Sequence, residues 1–355
     1  MLCFLLALSA CGSPRPAQRN PTLPTLDSVL DHRADASSTA TATSPRDVIV
    51  SEDDWTFAGR AGRIIATPHF SLHTTIDKSL LIDRFPRFVE IALAAYHTEL
   101  GDLPEPDEPM NTYLMRDRAQ WESVTRSIAG PQAEIYLRIP RGGFAVGGRG
   151  VFYDIGPYDT LAIAAHEGWH QYTQSMFKHP LPLWLEEGIA TYFEGFRWHP
   201  NDRTLPIFLP WSNPERFDTL RKLVATDTLI PLDELLVSRP QDLLRTPDGK
   251  TLAYYAQVWA LTHFLHEGAG AKYRASLARL LNDAAAGQLG QALAQSAGPR
   301  EARAALSSRV GDAAFRVYFN DDIAAAQAEY ERFVKAATLP GARQDMTAGR
   351  SPVSR

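Results

Sequence analysis

The chain has 355 residues, 45% of them hydrophobic, with a formal net charge of -5 and two cysteines. That is enough apolar material for one large domain or two small ones. The mild negative charge lacks the basic footprint of a nucleic-acid binder, and past the N-terminus no apolar stretch is long enough to span a bilayer. Composition carries no signal for oligomeric state.

The first element is the apolar run Met1 to Leu8, followed by Leu8-Ser9-Ala10-Cys11. Small residues immediately before a cysteine resemble the lipobox of bacterial lipoproteins. A plain secretory signal with an incidental cysteine is the simpler alternative. The resemblance implies a signal peptide over residues 1–10, a lipid on Cys11, and a membrane-anchored chain in the bacterial cell envelope. Gly12 after the cysteine implies outer-membrane sorting, facing the periplasm, where the cell has such a membrane. One departure is that no Lys or Arg precedes the apolar run. Cys3 falls within the expected signal and Cys11 at the expected acyl site, which leaves no thiol for a disulfide or a zinc thiolate. Any metal must then be held by histidine and carboxylate.

Residues 11–54 are rich in Ser, Thr, Pro and Ala and read as a flexible tether. Order is expected from Trp55. Arg63 to Thr67 and Phe70 to Thr74 read as strands, and Asp83 to Leu100 as a helix with Phe85, Phe88, Ala92 and Tyr96 on its apolar face. Asn111 to Arg116 reads as a strand, followed by a short helix near Gln120 to Ser127. Gly142 to Ile155 carries five glycines among large apolar residues, which suggests an edge strand or hairpin. Helices are then expected from Asp159, as a cap, to Phe177, and from Trp184 to Phe196. A polar, proline-rich stretch covers Pro200 to Pro214. Further helices follow over Thr251 to Glu267, Lys272 to Ala285 and Asp321 to Ala337. Residues 341–355 read as a disordered tail. The folded part, 55–340, is expected to be α+β, with a strand-rich half (55–158) and a helical half (159–340) meeting at the site.

The chemistry concentrates at His166-Glu167-Gly168-Trp169-His170. On a helix at about 100° per residue, His166 and His170 lie about 40° apart, so both rings can address one ion. Glu167 lies about 60° beyond His170, beside the ion and not on it. The stripe Leu161, Ala165, Trp169, Tyr172, Met176 follows another face and is expected to pack in the core.

A third ligand is available after a turn at Pro180-Leu181-Pro182. Glu186 and Glu187 compete for it, since they point about 100° apart. Gly188 would permit close helix approach. Thr191 and Glu194 share the face of Glu187 and are expected to hydrogen-bond a ligand imidazole from behind.

Trp184-Leu185-Glu186-Glu187-Gly188-Ile189-Ala190 resembles the W-L-x-E-G-x-A segment of gluzincin metallopeptidases, the superfamily of thermolysin and aminopeptidase N. The nearest likeness is to peptidase-MA-like bacterial envelope proteins, which pair H-E-x-x-H-Q with P-x-W-L-x-E-G-x-A-x-Y-F. Here Gln171 follows the first motif, and Pro182 to Phe193 fits the second. The likeness spans about residues 60–340, but only the two zinc segments are diagnostic. It implies a zincin-like fold, one Zn2+ ion, and Glu187 as the third ligand.

Such an ion lowers the pKa of its water toward about 7, and Glu167 would act as general base. An oxyanion donor is also needed; Tyr255 is the candidate, with Tyr254 and His263 behind it. By analogy with the corresponding strand of the enzymes it resembles, the glycine-rich Gly142 to Ile155 edge is expected to receive an extended peptide. The expected activity is therefore zinc-dependent hydrolysis of a peptide or protein substrate. The alternative is a non-catalytic zincin-fold lipoprotein that works as a binding or assembly factor.

Overall fold

The computed structural model of the protein describes residues 48–243 and 249–353. The expected signal peptide, Cys11 and most of the tether lie outside these residues. Order does not wait for Trp55: β1 (Ser51–Phe57) starts inside the expected tether and pairs along its length with β2 (Arg60–Ala66). The two strands join through Ala58 and Gly59, both at positive φ, which is the backbone a two-residue hairpin turn requires. β1 opens with Ser51-Glu52-Asp53-Asp54 on an exposed edge, so it offers no apolar alternation to read.

β3 (Phe70–Thr74) alternates buried and half-buried residues as its sequence predicts. It lies parallel to β4 (Met110–Met115), which in turn lies parallel to β6 (Arg149–Tyr153). β5 (Gly143–Val146) forms an antiparallel hairpin with β6 and closes one edge. The sheet order is β1-β2-β3-β4-β6-β5.

Helix α1 (Leu80–Glu99) connects β3 to β4. It starts ahead of Asp83 because the Ser79 hydroxyl accepts a hydrogen bond from the Ile82 amide at 3.2 Å. Its stripe of Phe85, Phe88, Ala92 and Tyr96 is buried in the main core. Helix α2 (Arg118–Ala129), capped by Asp117, belongs to a smaller core. There the Trp121 indole donates to the Val151 carbonyl and packs on Phe144 and Tyr153.

The two motif-bearing helices come next: α3 (Pro157–Met176) and α4 (Leu183–Tyr192). α4 stops before the expected Phe196, which instead opens a strand. Gly195 makes that possible, since a Cβ there would sit 2.5 Å from the Leu209 carbonyl oxygen. The polar stretch expected over 200–214 is largely a second, two-stranded sheet, β7 (Phe196–His199) with β8 (Asp202–Phe208). Phe196 packs edge-on against Phe88, and Arg87 of α1 pairs with Asp202 at 2.8 Å. These long-range contacts stabilise strands whose polar and proline content argues for loop.

The rest is helical: α5 (Pro214–Thr226), α6 (Leu232–Val237), α7 (Lys250–Ala271), α8 (Arg274–Ala286), α9 (Leu289–Ala297), α10 (Pro299–Ser308), α11 (Ala313–Tyr318) and α12 (Ile323–Ala337). The regular part of α7 breaks at Gly268, close to its expected end. The tail is not frayed. Residues Ala342–Thr347 form α13, and Met346 is fully buried. No helix among the described residues is long and apolar enough to cross a membrane. The architecture is α+β, with strands concentrated before residue 154 and helices after it.

Candidate metal centre

α3 does not begin at an Asp159 cap. Gly156 occupies the cap position with φ 106, Pro157 opens the first turn, and Asp159 pairs with Arg141 at 3.0 Å. One face of the helix carries Leu161, Ala165, Trp169 and Tyr172 into the core, as the periodicity predicts, with Met176 half-buried beside them. The Tyr96 hydroxyl donates to the Ala165 carbonyl at 2.6 Å, which fixes the roll of α3 against α1. That roll turns His166 and His170 toward α4.

Both imidazoles aim their Nε2 atoms at one carboxylate oxygen. Glu187 Oε2 lies 3.6 Å from His166 Nε2 and 3.8 Å from His170 Nε2. Ligands about 2.0–2.1 Å from a tetrahedral ion stand about 3.4 Å apart, so a contraction of a few tenths of an ångström would suffice. His166, His170 and Glu187 form a group that could hold a metal ion, all three no more than 1% exposed. Neither Nε2 has a hydrogen-bond partner. Buried ring nitrogens left without one suit a cation far better than solvent-free packing. The residues fit a divalent metal.

The opposite ring nitrogens are both engaged. His166 Nδ1 meets Glu194 Oε1 at 2.9 Å, and His170 Nδ1 meets Glu186 Oε1 at 2.9 Å. Each imidazole is therefore held from behind by a carboxylate, which directs Nε2 toward Glu187 Oε2. Glu194 makes the contact to an imidazole that its helical position predicts. Glu186 has a different role: it does not compete with Glu187 but backs the second histidine, with Thr173 donating to the same oxygen at 2.7 Å. Thr191 is a correction. Its hydroxyl donates to the Glu187 and Gly188 carbonyls of its own helix and does not reach either imidazole.

Gly188 performs as expected. A Cβ there would lie 2.5 Å from Thr262 Oγ1 and 2.7 Å from the Val258 carbonyl oxygen of α7. Its absence lets α4 and α7 approach closely and sets the depth of Glu187.

Glu167 is fully buried, with no side-chain hydrogen-bond partner on either oxygen and the Ala145 backbone beside it. Burial pushes its carboxyl up to about 7, against the opposing pull of the His170 and His166 rings. Burial disfavours protonated His166, yet the neighbouring Glu187 and Glu194 carboxylates outweigh it and raise the ring to about 9. Burial likewise opposes ionisation of Glu194, but Arg216 and the His166 ring overcome it and hold the carboxyl at about 2.

Several contributors carry no local signal in the sequence. Arg216 of α5 reaches Glu194 Oε1 at 3.1 Å, and Asn213 donates to Glu194 Oε2 at 2.7 Å. Both come from the segment just past β8. Gln171, read only as a motif residue, ties the helix to the sheet by donating to the Asn111 and Gly148 carbonyls. Tyr255 is buried on α7, its ring 5.3 Å from the Arg216 guanidinium carbon, and so lies behind Glu194. His263 is fully buried in the core, stacked on Trp211 and 3.3 Å from Glu267.

The model of a family described as "Protein of unknown function (DUF1570)" matches residues 160–287. The matched stretch spans the metal-ligating group, Glu167, Glu186, Glu194, Arg216 and Tyr255. No curated protein matches the chain.

Proposed function

We propose that the protein is a zinc-dependent metallopeptidase of the gluzincin type, with a zincin-like fold, acting in the bacterial cell envelope on peptide or protein substrates. One observation carries the proposal. Two buried Nε2 atoms and a Glu187 oxygen converge on a common point, while a buried carboxylate with no side-chain hydrogen-bond partner, Glu167, sits on the helix of the two histidines. Core packing alone would leave both Nε2 atoms desolvated with no hydrogen bond in return.

A zinc ion held there would act as a Lewis acid on water and on a substrate carbonyl. Glu167, buried on the helix of the two ligand histidines, is placed to take a proton from water at either Oε and return it to the departing amine. His166 and His170 stay oriented by Glu194 and Glu186 throughout. The Ala145 backbone of edge strand β5 lies close enough to Glu167 to lower its carboxyl pKa, and this supports β5 as the edge that takes an extended peptide. Tyr255 stays the candidate for the developing oxyanion on the sequence reading alone, since its ring lies beside Arg216 behind Glu194. The lipid anchor at Cys11 belongs to the same proposal and rests on the sequence resemblance.

A second reading is favoured by burial. None of the three ligands or Glu167 is more than 1% exposed. A cavity of about 800 Å³ lies among Arg279, Asp283, Arg316 and Tyr318. A zincin-fold binding or assembly factor would need no substrate path to the ion. The two readings separate on zinc-loaded protein offered a proteome-derived peptide library. The peptidase cleaves, and Glu167→Gln keeps its zinc while losing about 10²–10⁴-fold in rate. Zinc-loaded wild type that cleaves nothing leaves the binding factor.

A further inference from the structure

Arg309 lies outside the matched stretch and far along the chain from both motifs, yet it reaches the metal centre. It follows α10 with φ 55, a left-handed conformation that residues other than glycine rarely adopt. Three contacts hold it there. Its amide donates to the Ala305 carbonyl at 2.8 Å, ending α10. Its carbonyl accepts from the Leu183 amide at 2.8 Å, at the first residue of α4, and its Nε donates to the Leu181 carbonyl at 2.7 Å. The guanidinium thereby spans the start of α4, and a second nitrogen reaches Glu186 Oε2 at 3.3 Å.

Glu186 is nearly inaccessible, with 4% of its side chain exposed. Its other oxygen serves His170 Nδ1 and the Thr173 hydroxyl. A carboxylate in that position needs a counter-charge to stay fixed, and Arg309 supplies one with a planar fork that also anchors to backbone. The arrangement repeats on the other ligand, where Arg216 holds Glu194 behind His166. Each ligand histidine is thus backed by a glutamate, and each glutamate by an arginine from a distant element.

We propose that Arg309 is a positioning residue of the metal site, acting through Glu186 on His170, so that the C-terminal helices are part of the metal-binding apparatus. The inference rests on the reading of His166, His170 and Glu187 as a zinc site. A residue that merely staples α10 to α4 would affect stability and leave metal affinity alone. A positioning residue changes affinity and the ligand field.

The test measures zinc Kd by competition with a chromogenic chelator, and the visible absorption of the Co2+ form. It compares wild type, Arg309→Met, Glu186→Gln and the double variant, each checked for folding by circular dichroism. Arg309→Met and Glu186→Gln should each weaken zinc by about 10–100-fold and perturb the Co2+ bands. The double variant should bind no more weakly than Glu186→Gln alone, because the arginine acts through that carboxylate. A folded Arg309→Met with wild-type Kd and spectrum overturns the proposal, as does a fully additive double variant. If Arg309→Met does not fold, Glu186→Gln decides: reduced affinity supports the relay and unchanged affinity overturns it. Wild type that binds no zinc removes the underlying site reading and this inference together, whereas zinc-binding wild type beside an unaffected Arg309→Met removes only the inference.

Discussion

Glu186 and Glu187, adjacent in the chain, address opposite nitrogens of His170: Glu186 Oε1 lies 2.9 Å from Nδ1 and Glu187 Oε2 lies 3.8 Å from Nε2. The helical turn between neighbouring residues places one acid on the ion side and the other behind the ring. Their substitutions should therefore differ in kind. Glu187→Ala should lose zinc more severely than the ~10–100-fold cost usual for an outer partner, while Glu186→Gln should stay within that range. Chelator competition on both variants checks this; equal losses would mean the division of roles is wrong.

Gly188→Ala tests the approach of α4 to α7. Its new methyl would meet the Val258 carbonyl oxygen at 2.7 Å, and backbone cannot swing aside as a side chain can. We expect about 1–3 kcal/mol of destabilisation by denaturant unfolding, with weaker zinc binding because Glu187 moves with the helix. Unchanged stability would show that the helices have slack.

Acid sensitivity should have a contribution remote from the metal. Hydrogen bonds from Thr204, with Arg87 adding to them, hold the Asp202 carboxyl at about 2 instead of 3.8. A depressed folded pKa stabilises above the unfolded value and is lost as pH falls through the folded one. Asp202→Asn should therefore unfold more easily than wild type at pH 7, by up to about 1 kcal/mol for a partly exposed pair. The gap should close as pH falls from about 4 to about 2; a gap that persists there would assign it to packing.

Met346→Ala distinguishes a packed C-terminus from a loose tail. Met346 is fully buried, and Arg343 of the same helix pairs with Asp218 of α5. Truncating such a methionine costs about 2–5 kcal/mol, measurable by urea unfolding. A change below a few tenths of a kcal/mol would return residues 341–353 to tail status.

Much of the candidate metal site is readable because its residues are local in sequence. His166, Glu167 and His170 occupy one helical turn, and Glu194 lies within three residues of the end of α4. Helix period alone fixes which side chains share a face. The strands β3 and β4, and helices α1 and α7, follow from apolar spacing in the same way. What escapes the sequence is held by distant partners. β7 and β8 depend on Phe88 and Arg87 from α1, and the support for Glu194 and Glu186 comes from Asn213, Arg216 and Arg309. Thr191 shows the converse: the right helical face does not guarantee reach, because a short hydroxyl bonds its own backbone first.

The most direct test is the zinc content of purified protein after dialysis against zinc and then metal-free buffer, beside His166→Ala, His170→Ala and Glu187→Ala. The account predicts one zinc per wild-type chain and a large loss in each variant. Wild type without stoichiometric zinc, or full occupancy in Glu187→Ala, would contradict it.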